Sequence, residues 1–194
     1  IEINGATELG SGTIMRQMTI RDGDLLRVSK LLESQRNIYN LEMVQLASVT
    51  VAPDSLDATP TDSTRATVLV NIAETDQHQA DAAIGFGTVE CMRTEGQYID
   101  RNFTGGGRRI RINGSVSKIG LGGATSVGFG ESICRAFAQD SLFKNTLDYR
   151  LAADFVQPYF FSPLNQLALN VFIERLSEPM IYQRQAEGGR ILVT

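Results

Sequence analysis

From about residue 79 onward four stretches share one pattern, in which apolar and polar side chains alternate; between the first two, EGQYIDRNF alternates poorly and reads as a strand only from its position between two turns. In QADAAIGFGTVE, Ala80, Ala82, Ile84 and Phe86 share one side, with Gln79, Asp81, Gly85 and Gly87 on the other. After three consecutive glycines, RRIRINGSVS sets Ile110, Ile112, Gly114 and Val116 against Arg109, Arg111, Asn113, Ser115 and Ser117. The stretch NTLDYRLAADFVQ opposes Leu147, Tyr149, Leu151, Ala153 and Phe155 to Thr146, Asp148, Arg150, Ala152 and Asp154. QLALNVFIE opposes Leu167, Leu169, Val171 and Ile173 to Gln166, Ala168, Asn170 and Glu174. A period of two belongs to strands with unlike media on their two faces, because successive side chains leave opposite sides of a sheet. A helix buries positions spaced by three or four and cannot use this pattern.

The pattern alone leaves two architectures open. A soluble antiparallel sandwich turns the apolar face to a core and the polar face to water. A membrane barrel turns the apolar face to lipid and the polar face to a wet lumen. The connections match the barrel, although the alternation itself fits both. TGGG and YFFSPLN are tight, a long Gly-rich stretch occupies 117–144, and Tyr159, Phe160 and Phe161 stand where an interfacial aromatic girdle would put them.

Residues 1–74 obey different periods. IEIN alternates briefly. GSGTIMRQMTI offers Ser11 or Thr13 as an N-cap, followed by Ile14, Met15 and Met18 at helical spacing. Asp24 is placed to cap a second helix whose apolar face is expected to carry Leu25, Val28, Leu31, Leu32 and Ile38. LASVTVAP and RATVLVNIAE read as strands, the second with Ala66, Val68, Val70 and Ile72 on one face. The order β-α-α-β-β predicts a small α+β module with two helices on one face of a three-stranded sheet.

Composition narrows the function classes. With 194 residues, 42% hydrophobic and 21% charged, the chain is neither disordered nor a helical membrane protein. A net charge of −4 supplies no electrostatic footprint for nucleic acid. Two cysteines, Cys91 and Cys134, and one histidine, His78, make no cluster with metal spacing. The start at Ile1 without an initiator Met and the end inside GGRILVT read as a fragment of a longer chain.

Four stretches together resemble the BamA/TamA-type outer-membrane assembly factors. TIRDGDLLRVSKLLESQRNIYNLEMVQLASVTV resembles the last POTRA repeat of that family, a Gly-Asp turn before a helix whose leucine-rich end leads into a strand. QADAAIGFGTVE resembles the first barrel strand, with Gly85, Phe86 and Gly87 as its Gly-aromatic-Gly core. DRNFTGGGRRIRINGSVSKIG resembles the second-to-third-strand hairpin, and DFVQPYFFSPLNQLALNVFIE the next one. The resemblance implies an α+β POTRA module over residues 1–76 followed by antiparallel transmembrane β-barrel strands, a partial barrel, over 77–194, with about five strands and the start of a sixth.

Such a protein folds and inserts other barrels without bond chemistry or a cofactor. It sits in the bacterial outer membrane with residues 1–76 in the periplasm. Its expected partners are unfolded outer-membrane β-barrel clients, periplasmic accessory lipoproteins or chaperones, and outer-membrane lipid. The implied protein-binding edge is Leu46, Ala47, Ser48, Val49, Thr50 and Val51. The implied lateral seam is Ala82, Ala83, Ile84, Gly85, Phe86 and Gly87. In that setting Cys91, just past the top of the first strand, and Cys134, in the long loop on the same side, are expected to bond, since the outer membrane faces an oxidising space. A secretion pore of the same superfamily and a soluble α+β plus β-sandwich binding protein are the alternatives.

Catalytic readings find little footing in the sequence. Ser132 and Cys134 have no evident histidine partner. Gly105–Gly107 precede a strand rather than the helix that a phosphate cradle needs. Asp148 and Asp154 are about 20 Å apart along an extended strand, too far for paired acid–base work.

Overall fold

A computed structural model of the chain describes residues 1–52, 66–87, 91–119, 147–178 and 181–194. The described elements run β1 (Glu2–Asn4), α1 (Ser11–Gln17), α2 (Val28–Tyr39), β2 (Val44–Val51), β3 (Val68–Glu74), β4 (His78–Gly87), β5 (Cys91–Asp100), β6 (Arg109–Ile119), β7 (Asp148–Phe160), β8 (Ser162–Glu178) and β9 (Tyr182–Val193). They form two sheets. β3 is central in the first, parallel to β1 and antiparallel to β2, and β4 to β9 make the second in strict sequence order.

The first sheet has a dry core. Ile14 and Ile38 from the helices meet Met43, Val49 and Val70, all buried, and each fully buried aliphatic side chain contributes about 1.5–3 kcal/mol. The alternation in β3 explains its central place: Val68, Val70 and Ile72 turn inward while Asn71 and Ala73 are exposed.

Two local expectations change. The first helix is capped by Gly10, whose carbonyl accepts from the Thr13 and Ile14 N–H groups at 2.8 and 3.4 Å, and neither Ser11 nor Thr13 caps it. The second helix starts only at Val28, because Asp24 is engaged in the preceding turn, accepting from the Arg21 N–H at 3.2 Å and pairing with Lys30 at 3.0 Å.

The buried face of α2 is Leu31, Ser34, Asn37 and Ile38. At about 100° per residue, Val28 and Leu32 sit roughly 110–150° from the centre of that face, and they are exposed with Leu25, which is 73% accessible. Hydrogen bonds make the polar members of the face affordable. Ser34 Oγ accepts from the Thr19 N–H at 2.9 Å and donates to the Lys30 carbonyl at 2.7 Å, and Asn37 Nδ2 donates to the Gln17 carbonyl at 3.1 Å.

The second sheet is antiparallel throughout. β4 pairs β5 over ten consecutive residues, from His78↔Asp100 to Gly87↔Cys91. The stretch EGQYIDRNF falls largely in strand β5, with Arg93, Glu95 and Gln97 on the polar face and Met92, Thr94 and Tyr98 on the other. Turns at 101–108 and at Phe161 close one end of the sheet. At the other end only the β6–β7 connection is long in sequence; 88–90 and 179–181 are short. Pro158, which has no N–H to donate, sits at a register irregularity beside the turn, where the ladder needs no donor from it.

Registers carry the alternation across the sheet. Ile84, Ile112, Leu151, Val171 and Ile191 lie on one face, and Arg111, Arg150, Asp154, Glu174 and Arg190 on the other. All six strands hydrogen-bond into one sheet, so the sandwich alternative finds no second sheet against the apolar face among the described residues. That face stays uncovered: Ile84 is 80% accessible and Ile191 74%.

Candidate functional site

The two edges singled out in the sequence are edges in the structure. β2, which contains Leu46 to Val51, is an outer strand of the first sheet, and β4, which contains Ala82 to Gly87, is an outer strand of the second. An outer strand keeps one row of N–H and C=O groups free of the ladder, a template for an added strand.

In β2, Ala47 and Val49 face the core while Leu46 and Thr50 face out, Leu46 being 62% accessible. Ser48 is half-buried and Val51 packs against the rim of the core. An incoming strand would meet an edge fixed in register by its core side chains. Its outward side chains remain free to make contacts.

In β4, Ala82, Ile84 and Phe86 lie on the apolar face, and Ala83, Gly85 and Gly87 on the polar face. Its two ends differ. The base is tied down: the Arg101 N–H donates to the Gln77 carbonyl and Arg101 Nη1 to the Asp76 carbonyl, both at 2.9 Å, and the Tyr98 hydroxyl bonds His78 Nδ1 at 2.8 Å with the rings stacked. The upper end continues as ladder pairing with β5, from Ile84↔Thr94 to Gly87↔Cys91. A Cβ built on Gly85 meets nothing within 4 Å, so packing does not require glycine there. What glycine does is loosen the strand by backbone entropy.

The polar face carries a charge network between β7, β8 and β9. Glu174, whose side chain is 1% accessible, accepts from Arg150 Nη2 at 2.9 Å and also from Arg184. Asn170 Nδ2 donates to Asp154 Oδ1 at 2.7 Å. Near the upper end Lys118, at φ +62°, turns in beside Asp148 at 3.1 Å. This network gives the face a polar lining, in which the Ser177 hydroxyl donates to Asp148 Oδ1 at 2.7 Å, and among the described residues no group of three or more His, Cys, Asp or Glu side chains stands at metal-binding spacing.

Sequence reasoning missed one cluster at the boundary between the sheets. The Glu74 carboxylate accepts from the N–H groups of Thr7, Glu8 and Leu9 at 3.1, 2.8 and 2.9 Å, and from the Thr7 hydroxyl. Burial pushes its pKa up, but the Thr7 hydroxyl and the three N–H groups together outweigh burial and hold it below the ordinary carboxylate value. Its partners are 65–67 residues away in sequence, and no local pattern advertises such a pairing.

Cys91 begins β5 opposite Gly87. Cys134 lies outside the described residues, and so does the expected bond between them.

No family model matches the chain, and no curated protein matches its sequence. Among solved structures, the crystal structure of BamA from Haemophilus ducreyi lacking POTRA domains 1–3 is similar over 99% of this chain, with a TM-score of 0.60 and 14% identity. The chain spans 31% of the length of that protein. Two sheets joined at Glu74–His78, with β4 to β9 in sequence order, are thus a BamA-like fold.

Proposed function

We propose that this chain belongs to an outer-membrane protein assembly factor that folds and inserts β-barrel clients, with residues 1–76 acting as a periplasmic POTRA-like module and β4–β9 as the first strands of a transmembrane barrel. One observation carries the proposal: β4 to β9 form one sheet whose apolar face is uncovered among the described residues. Water disfavours an apolar surface of that extent, and lipid accepts it. The likeness in fold to a BamA structure supports the same conclusion.

In this mechanism the client contributes the missing hydrogen bonds. Its strand adds to the free edge of β4, with Gly85 and Gly87 keeping the upper edge easy to part, while Tyr98 and Arg101 hold the base in register. The free edge of β2, over Leu46 to Val51, takes an extended segment of a client, an accessory lipoprotein or a chaperone in the same way. Hydrogen bonding and burial supply the free energy, so neither nucleotide nor metal enters a step.

The test is client insertion into liposomes by the intact protein carrying Gly85→Val together with Gly87→Val. The open space around Gly85 lets the valine fit the folded strand. Slower insertion with unchanged folding is the expected result, and unchanged insertion kinetics would remove the seam from the mechanism.

A further inference from the structure

We propose that the turn between β5 and β6 is a latch that sets the pose of the N-terminal module and, through it, the base of the edge strand β4. The inference rests on the seam reading of β4 given above. Only Thr75, Asp76 and Gln77 separate β3 from β4. A connector that short passes any rotation of the module straight to His78. What holds the module therefore governs the strand.

Among the described residues, the turn carries several contacts to the module. Asn102, largely buried, uses both ends of its amide: Oδ1 accepts from the Gly107 N–H at 2.9 Å within the turn, and Nδ2 donates across the boundary to the Glu8 carbonyl at 3.0 Å. Its own N–H donates to Asp100 Oδ1 at 3.0 Å, and the same oxygen accepts from Gln77 Nε2, also at 3.0 Å. One network thus joins the module, the turn and the last connector residue. The Glu8 segment is clasped from the other side by Glu74.

Shape and charge complete the seat. Gly107 adopts φ +70°, and a Cβ there would stand 3.3 Å from Leu41 Cδ2 and 3.8 Å from Leu9 Cδ2, both in the module. Arg109, the first residue of β6, pairs with Glu42. Each contact is weak by itself: a neutral hydrogen bond, a glycine-sized apposition and an ion pair open to water on the Glu42 side. A few weak contacts at one point make a joint that opens and recloses, whereas a weld needs a broad apolar interface.

Amide hydrogen exchange of the intact protein in lipid nanodiscs tests this, and its readout is independent of client insertion. Asn102→Asp keeps the acceptor for the Gly107 N–H but loses the donor to the Glu8 carbonyl. Exchange should rise at least about fivefold at residues 6–10 and 75–81, since one hydrogen bond is lost and a carboxylate is set against the Glu8 carbonyl and Asp100, with α2 and β7 unchanged. Exchange as in the unsubstituted protein, or exchange raised throughout the chain, would overturn the latch. As a second arm, Glu42→Arg and Arg109→Glu should each loosen the same segments and together restore their protection. Failure of the pair to restore it would remove the ion pair from the latch.

Discussion

The ring of Phe172 lies against Gly188 of the neighbouring strand: a Cβ added to Gly188 would stand 2.9 Å from Phe172 Cε1, and the two residues are direct cross-strand partners between β8 and β9. The aromatic side chain covers the stretch of backbone that glycine leaves bare, a known way of securing a glycine in a sheet.

Gly188→Val should therefore displace the ring of Phe172, at a cost below about 1 kcal/mol because the collision falls on the far end of a half-buried side chain that can turn away. Combining it with Phe172→Ala should recover part of that loss, since the collision disappears. Urea unfolding of the intact protein in detergent measures both, and additive effects of the two substitutions would show that the residues do not act on each other.

Glu174 and its two arginines should respond asymmetrically. Glu174→Gln leaves two half-exposed guanidiniums that water can solvate, so the loss should be small. Replacing Arg150 and Arg184 together by alanine leaves the Glu174 carboxylate without its two cations and should destabilise the sheet more. The same urea experiment orders the variants, and the reverse order would contradict the burial argument.

Glu74 gives the joint of the module a defined pH dependence. Its pKa is lowered in the folded state, so its stabilising effect is complete above the ordinary carboxylate value of 4.5 and is lost as pH falls through the lowered value. Glu74→Gln should weaken the module by about 1–2 kcal/mol at neutral pH, discounted for partial exposure, and should remove this component of acid sensitivity. Thermal unfolding followed from pH 7 down through the acid range checks the sign: a variant that stays as acid-sensitive as the parent would refute it.

The β2 edge can be blunted without touching the core. Leu46→Lys with Thr50→Lys adds two positive charges to the outward face, where surface changes shift stability by only about 0.5 kcal/mol. Capture of an extended client peptide should weaken about tenfold while the melting temperature holds. Undiminished capture would move strand addition elsewhere.

The sequence by itself determined most of the strands and the β-α-α-β-β order of the first module, because these follow from steric periods of two and 3.6 that act within a few residues; the faces of β5 and the first half of β9 were not legible in it. It also marked β2 and β4 as strands of interest. What it misjudged locally was α2: apolar spacing favoured Leu25, Val28 and Leu32, yet Ser34 and Asn37 hold the buried face through hydrogen bonds to Lys30, Thr19 and Gln17. Only the tertiary structure decided that β4 is an edge of one continuous sheet with its apolar side bare, because strand neighbours are set by pairing across the whole chain. Glu74 with Thr7 and Asn102 with Glu8 are settled at the same level. Those partners lie 67 and 94 residues apart, and the chain must fold before either side chain meets the backbone it holds.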